Sequence, residues 1–397
     1  MYVSDRLKNM AESATIKMAE LARELKKQGH EVISLSLGEP DFDTPEHIKS
    51  AATKALNEGY TKYTPVPGLL ELREAISEKL QRDNGLDYAS NQIVVSNGAK
   101  QSIANLSLSL LNEGDDVIIF APYWVSYKEI IRLSGANPIF VDAKIEHDFK
   151  INAVDLEAAI TDKTRLVLFS SPCNPTGMVY TKKEFEPIVE VLEKHPNIMV
   201  ASDEIYEYIN FSEEGHCSIA SFESIADRCI IINGFSKGFS MTGWRLGYMA
   251  APLWVAKACA KMQGQFTSGA NAYGQKAAAD ALLSDMSPTK IMNEAFRNRR
   301  DLVIALLKEI DGFIVNHPEG AFYVFPDISA LYGKKYATKT IRNSADFCEY
   351  LLNKVHVAIV AGSAFGADEC VRIAYSASEV QLREAIRRIK KAVDALV

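Results

Sequence analysis

The sequence predicts an α/β protein: a large domain with a mostly parallel sheet and helices on both faces, plus a smaller α+β domain. Three observations predict it. Short apolar runs alternate with helix-length amphipathic runs. The 397 residues are enough to bury more than one core. The polar residues that stand out fall just past the ends of apolar runs, where such sheets bind their ligands.

Taken in order, 33–38 reads as a strand entering a loop. Pro45-Glu46-His47 opens a helix with proline in its first turn, where a missing N–H is harmless. Strands are expected at 92–96, 116–120, 138–142, 165–170, 198–202 and 229–233, with helices at 101–111, 127–134, 153–160 and 182–193. A long amphipathic helix over 291–310 leads out of this part. Strands at 320–325, 357–360 and 371–375 and a charged helix at 379–395 then build the smaller unit, which the segment before Pro45 joins. The expected division is 1–48 for an N-terminal arm and part of the small domain, 49–290 for the large domain, and 291–397 for the connecting helix and the rest of the small domain.

Hydrophobic residues at 47% and charged residues at 24% are an ordinary globular balance. A net charge of −7 argues against a polyanion or membrane-surface partner. No apolar run reaches transmembrane length, and Met1-Tyr2-Val3-Ser4-Asp5-Arg6 does not read as a signal peptide. Cys173, Cys217, Cys229, Cys259, Cys348 and Cys370 lack CxxC spacing, and no histidine pairs with them at ligand spacing. They read as reduced thiols of a cytoplasmic protein without a disulfide framework or metal site.

Lys237 lies just beyond the apolar run Cys229-Ile230-Ile231-Ile232. An ammonium is rarely left at a buried strand end without a partner. A desolvated lysine, however, has a depressed pKa and condenses with carbonyls to a Schiff base. Upstream, Asp203 ends the run Val200-Ala201-Ser202. An amine and a carboxylate on neighbouring strand ends match what pyridoxal 5′-phosphate needs: a partner for its aldehyde and an anion for its ring nitrogen.

Other positions allow two readings each. Ser96-Asn97-Gly98-Ala99-Lys100-Gln101 is either a phosphate cradle at a helix N-terminus or a plain strand-to-helix turn. No GxGxxG follows a strand and GxxxxGK[ST] is absent, so nicotinamide-binding and P-loop readings lack their fingerprints. Trp124 is either a ring stacked on a flat heterocycle or a core or interface residue. Asn174, between Pro172 and Pro175, is either a rigidly held ligand-binding amide or part of an Asx-turn. Tyr206 shares a face with Asp203 if the chain turns helically there. Ser236 and Arg245 suit phosphate oxygens, with a surface ion pair as the alternative for Arg245. Arg372, in Val371-Arg372-Ile373-Ala374-Tyr375, either clamps a carboxylate or lies on a solvated strand face.

Together these residues carry a family signature. The chain resembles class I, fold-type I pyridoxal-phosphate aminotransferases, and among them the bacterial aspartate aminotransferase subgroup. The likeness runs from Ser36-Leu37-Gly38-Glu39-Pro40-Asp41-Phe42-Asp43-Thr44-Pro45 to Val371-Arg372-Ile373-Ala374-Tyr375-Ser376. Its most specific motif is Ser236-Lys237-Gly238-Phe239-Ser240-Met241-Thr242-Gly243-Trp244-Arg245-Leu246-Gly247, joined by Asn174-Pro175-Thr176-Gly177 and Asp203-Glu204-Ile205-Tyr206. The resemblance implies a seven-stranded sheet in the large domain. It implies that Lys237 holds the cofactor as a Schiff base and then shuttles a proton, and that Asp203 keeps the ring nitrogen protonated. Asn174 and Tyr206 would bond the ring's phenolic oxygen, and Trp124 would stack on the ring. Gly98, Ala99, Ser236 and Arg245, with Lys100 beside them, would hold the phosphate. Tyr63 would reach the phosphate of a second subunit, which implies a homodimer with shared active sites. The Gly38 backbone and Arg372 would bind the substrate α-carboxylate, and Ser13-Ala14-Thr15 would belong to a mobile segment that closes over the site.

The resemblance also bears on substrate. Animal-type relatives bind the distal carboxylate with an arginine after the lysine segment, but this chain has none between Arg245 and Arg297. In the bacterial subgroup a lysine of the phosphate loop takes that part, and Lys100 stands there. The implied reaction is ping-pong transfer from L-aspartate to 2-oxoglutarate, giving oxaloacetate and L-glutamate. Prephenate, aromatic or alanine aminotransferases use the same chemistry. A C–S lyase and a non-catalytic regulator are remoter alternatives.

Overall fold

The computed structural model describes residues 2–397. Its central sheet has seven strands, in the spatial order Ile93–Ser96, Gly247–Ala250, Cys229–Gly234, Met199–Asp203, Thr164–Ser170, Asp116–Ala121 and Asn137–Asp142. Every neighbouring pair is parallel except the two made by Gly247–Ala250. The mostly parallel seven-stranded sheet is therefore as expected.

All residues of Asp116–Ala121 are buried. Val117 and Ile119 enter one core with Ile103, Leu106 and Val255, while Ile118 and Phe120 enter another with Leu72, Ile76 and Phe185. A sheet covered on both faces has no polar side, which is why its strands read as continuous apolar runs. The six strands expected in this part appear with ends shifted by at most one residue. The helix Lys182–Glu193 starts where Thr181 and Glu184 exchange capping bonds. The helix expected at 101–111 begins earlier, at Ala99, because Gly98 takes φ 84° and caps it.

Gly247–Ala250 is the strand that sequence reading overlooked. It is four residues long and antiparallel to its neighbours, so no crossover helix announces it. The helices Leu70–Asn84, Leu253–Phe266, Ala272–Leu283 and Ser344–Val355 were likewise not anticipated.

A further core gathers Phe296 and Val303 of the helix Ser287–Leu307, Leu382 and Ile386 of the helix Glu379–Asp394, and Phe347 and Leu351 of Ser344–Val355. The strand expected at 357–360 is two strands here. Val357–Ala358 pairs in parallel with Ile33–Ser34, whereas Val360–Ala361 pairs antiparallel with Val371–Ala374. The strand expected at 320–325 shrinks to Tyr323–Val324. Ala321 takes φ 56°, and its N–H bonds the Ile209 carbonyl at 2.8 Å instead of a neighbouring strand.

Candidate active site

The strand Met199–Asp203 ends on Asp203, and the adjacent parallel strand Cys229–Gly234 leads into the turn that carries Lys237. Beside these ends lies a cavity of about 320 Å³. Lining it are Gly38, Ala99, Lys100, Trp124, Asn174, Asp203, Tyr206, Ser236, Lys237, Arg245 and Arg372. Ser13 and Thr15 line it too, so the N-terminal segment is part of its wall. Of the residues expected to bind cofactor or substrate, Gly98 and Tyr63 are absent from the lining, as is Ala14 of the N-terminal stretch. Gly98 stands directly behind it, since a Cβ there would meet Arg245 Nη2 at 2.6 Å. Tyr63 is not brought to this cavity and is 99% exposed.

Packing sets the charge states. The Lys237 ammonium donates to the Gly38 carbonyl. The residue keeps some exposure to the cavity, but burial dominates and lowers its pKa to about 8. Glu39 and Asp203 oppose that shift, and Arg372 and Arg245 reinforce it. Asp203 is 5% exposed, and burial pushes its carboxyl up to about 6 despite a 2.7 Å bond from the Tyr127 hydroxyl.

Arg372 is not on a solvated face. It is 1% exposed, lies over the rings of Tyr323 and Phe365, and donates from Nη1 to Asn174 Oδ1 at 2.9 Å and from Nη2 to the Ser36 carbonyl at 2.5 Å. Its Nε is buried and has no partner among the described residues. Among the described residues, Arg245 makes no surface ion pair. It takes the left-handed conformation at φ 56° and donates to the Thr242 carbonyl at 3.0 Å and the Asn97 carbonyl at 3.4 Å. Lys100 lies at the rim, its Nζ 4.9 Å from the Trp124 ring centroid; the residue is exposed overall, but partial loss of water around its ammonium, and then the Arg245 charge, lower its pKa. Among the described residues, none of Lys100, Lys237, Arg245 and Arg372 forms a salt bridge. Cations gathered at one cavity without salt-bridge partners suit an anionic ligand.

Sequence reading missed two residues here. Tyr127 follows Trp124 by three, a spacing that would have placed both on one helical turn. Tyr323 gave no signal, because only the pairing of Tyr323–Val324 with Val371–Ala374 sets it beside Arg372.

Residues 30–389 match the aminotransferase class I and II family. The chain belongs to that family. Curated relatives of this aminotransferase include a Petunia hybrida protein named bifunctional aspartate aminotransferase and glutamate/aspartate-prephenate aminotransferase. It is 47% identical, over 98% of this chain and 82% of that one. A probable aspartate/prephenate aminotransferase of Rhizobium leguminosarum bv. phaseoli is 46% identical over 98% of each. Among solved structures, the aspartate aminotransferase of Rhizobium meliloti superposes with a TM-score of 0.97 at 42% identity, covering all of both chains. That of Thermus thermophilus with maleate gives 0.92 at 38% identity, covering 99% of this chain and 100% of that one.

Enzymes of this family work with pyridoxal 5′-phosphate, and this aminotransferase fits it. A side-chain-free position at Gly98 opens the helix Ala99–Leu110 against a guanidinium, as a phosphate requires. The carboxylate and the amine needed by ring and aldehyde line one cavity, and the buried, unpaired Arg372 Nε awaits an acceptor.

Proposed function

We propose that this aminotransferase moves the amino group of L-aspartate to 2-oxoglutarate, releasing oxaloacetate and then L-glutamate by a ping-pong route. The observation that carries this reading is a cavity with two cations beyond the phosphate-suited Arg245 and the amine of Lys237: Arg372, buried with a free Nε, and Lys100 at the rim. A monocarboxylic amino acid needs one such cation. Aspartate, glutamate and their 2-oxo acids carry two carboxylates. The names of the relatives above support the same substrate class.

When bound, the cofactor supplies the aldehyde that takes up the amino group and a protonated ring that draws in the electron pair left at the substrate Cα. The chain's residues hold and orient. Gly98, Ala99, Ser236 and Arg245 hold the phosphate. Asp203 keeps the ring nitrogen's proton in place. Trp124, in the cavity wall, would offer the ring a flat apolar face. Asn174 has its Oδ1 engaged by Arg372, which leaves its amide N–H groups to donate to the ring oxygen beside Tyr206. Arg372 and the Gly38 N–H take the α-carboxylate, and Lys100 takes the distal one. The neutral Lys237 amine carries the proton away from the substrate Cα.

The reading includes a homodimer in which Tyr63, exposed on this chain, reaches the phosphate of the second copy. It divides the chain into 1–48, 49–290 and 291–397. The middle part carries most cofactor contacts, and the outer parts carry Gly38 and Arg372. Its six free cysteines suit a reducing cytoplasm.

Purified protein should be yellow; aspartate should bleach the colour and 2-oxoglutarate restore it. Alanine reacting as well as aspartate would sink the acidic-substrate reading. Prephenate is a second acceptor consistent with the relatives' names, because it too carries two carboxylates. A panel of oxaloacetate, 2-oxoglutarate and prephenate separates the acceptors.

A further inference from the structure

Tyr323 belongs to no motif of the sequence, yet it touches three parts of the site. It is fully buried, opposite Ala374 on the strand that carries Arg372. Its hydroxyl stands 2.7 Å from that of Tyr206, and among the described residues each is the other's only side-chain partner. Its ring lies under Arg372, with Cζ 4.5 Å from the ring centroid. The same hydroxyl lies so close to Gly38 that a Cβ there would meet it at 2.1 Å.

We propose that Tyr323 is a positioning residue whose hydroxyl orients and polarises that of Tyr206 and whose ring fixes the guanidinium plane of Arg372. The inference rests on the roles assigned above to Tyr206 and Arg372. Either hydroxyl can donate within the pair. Once Tyr206 gives its proton to the bond with the cofactor's ring oxygen, Tyr323 becomes the donor of the pair. Donation into the Tyr206 oxygen makes its O–H a stronger donor, since hydrogen bonds in a chain polarise one another. Tyr323 would thereby strengthen a bond that Tyr206 makes to the ring. The ring of Tyr323 acts separately. Arg372 spends Nη1 and Nη2 on Asn174 and Ser36, so a face-on contact holds its plane without occupying the Nε left for substrate.

Two variants separate the two actions. Tyr323→Phe keeps the ring and removes the hydroxyl; Tyr323→Leu removes both. The first readout is the pH midpoint of the holoenzyme's visible absorbance. The groups facing Tyr206 are Asp203, Lys237, Arg372 and Tyr323, and the phenylalanine variant alters only the last. A weaker bond to the ring oxygen disfavours its anion, so Tyr323→Phe should raise the midpoint by about half a unit to one unit. Its KM values should stay within about twofold of wild type. Tyr323→Leu should also raise KM for aspartate and alanine together, by about three- to tenfold, because both present an α-carboxylate to Arg372. Apoprotein melting temperatures report whether each variant is folded. An unmoved midpoint in Tyr323→Phe, with Tyr206→Phe moving it, overturns the hydroxyl's part. Unmoved KM values in folded Tyr323→Leu overturn the ring's part. If Tyr206→Phe also leaves the midpoint in place, the role of Tyr206 falls and this inference falls with it.

Discussion

The Tyr127 hydroxyl donates to Asp203 Oδ2 over 2.7 Å, and both residues are buried. One turn at the start of the helix Ser126–Leu133 thus sets an indole at the cavity wall and a phenol against the carboxylate. Burial is the largest influence on Asp203 and holds its pKa near 6; the Tyr127 bond and the Ile205 N–H pull the other way. The carboxylate stays costly to ionise until a cation reaches it, and a protonated ring nitrogen is such a cation.

That cost is measurable in the apoprotein. Asp203 has a folded-state pKa raised from 3.8 to about 6, so its stabilising contribution is full below 3.8 and lost as pH rises through 6. Asp203→Asn should therefore stabilise the apoprotein at pH 7.5 by about 1–3 kcal/mol, with a smaller gain at pH about 4.5. The same variant should lose transaminase activity. Thermal melts at the two pH values provide the check; a variant no more stable than wild type at the higher one contradicts the account.

Lys237 gives a kinetic prediction. Only a neutral amine condenses with an aldehyde. With its pKa at about 8, roughly a quarter of Lys237 is neutral at pH 7.5, against about one part in a thousand for an ordinary lysine. The rate at which apoprotein gains colour on adding cofactor should climb with pH and level off above about 8. A rate still rising through pH 10 would show an unperturbed amine. Lys237→Ala should not bind the cofactor covalently.

Lys100 should set substrate preference. Lys100→Ala should raise KM for aspartate and glutamate by about ten- to a hundredfold, while alanine and phenylalanine change little. Equal effects on all four would remove the distal-carboxylate role. Partial desolvation and the Arg245 charge lower the Lys100 pKa, so the wild-type preference for acidic substrates should fade at a less alkaline pH than an ordinary lysine would give.

Behind the site, Lys79 and Glu207 form an ion pair with side chains 0% and 4% exposed. Asn233 also donates to Glu207, while Ser218 and His216 bond Glu204 at 2.6 and 3.0 Å. Glu204, Glu207 and His216 converge within 4.8 Å, with the Lys79 ammonium already on one of the carboxylates. This network anchors the turn that carries Tyr206. Lys79→Met should cost about 3–5 kcal/mol by stranding the Glu207 charge, and Lys79→Met with Glu207→Leu should recover much of it. Denaturant melts test this; a single-variant cost below about 1 kcal/mol would mean the pair does not hold the turn.

Much of this was legible in the chain. The strands could be read because a sheet covered on both faces needs uninterrupted apolar residues, and Lys237, Asp203 and Asn174 stood out because each follows such a run. Gly247–Ala250 could not, since four residues between a loop and a helix carry too little pattern. Arg372 stayed ambiguous because alternation along Val371–Ala374 cannot say which face meets solvent, and here the whole strand is buried.

The order of residues alone determined the covered parallel sheet, the lysine and acid at neighbouring strand ends, and the family to which they belong. Only the tertiary structure decided which charges lose their water. Lys237 at about 8, Asp203 at about 6 and the partnerless Nε of Arg372 arise from atoms that distant segments bring together. Desolvation depends on everything packed around a group, and residues adjacent in the chain supply little of that.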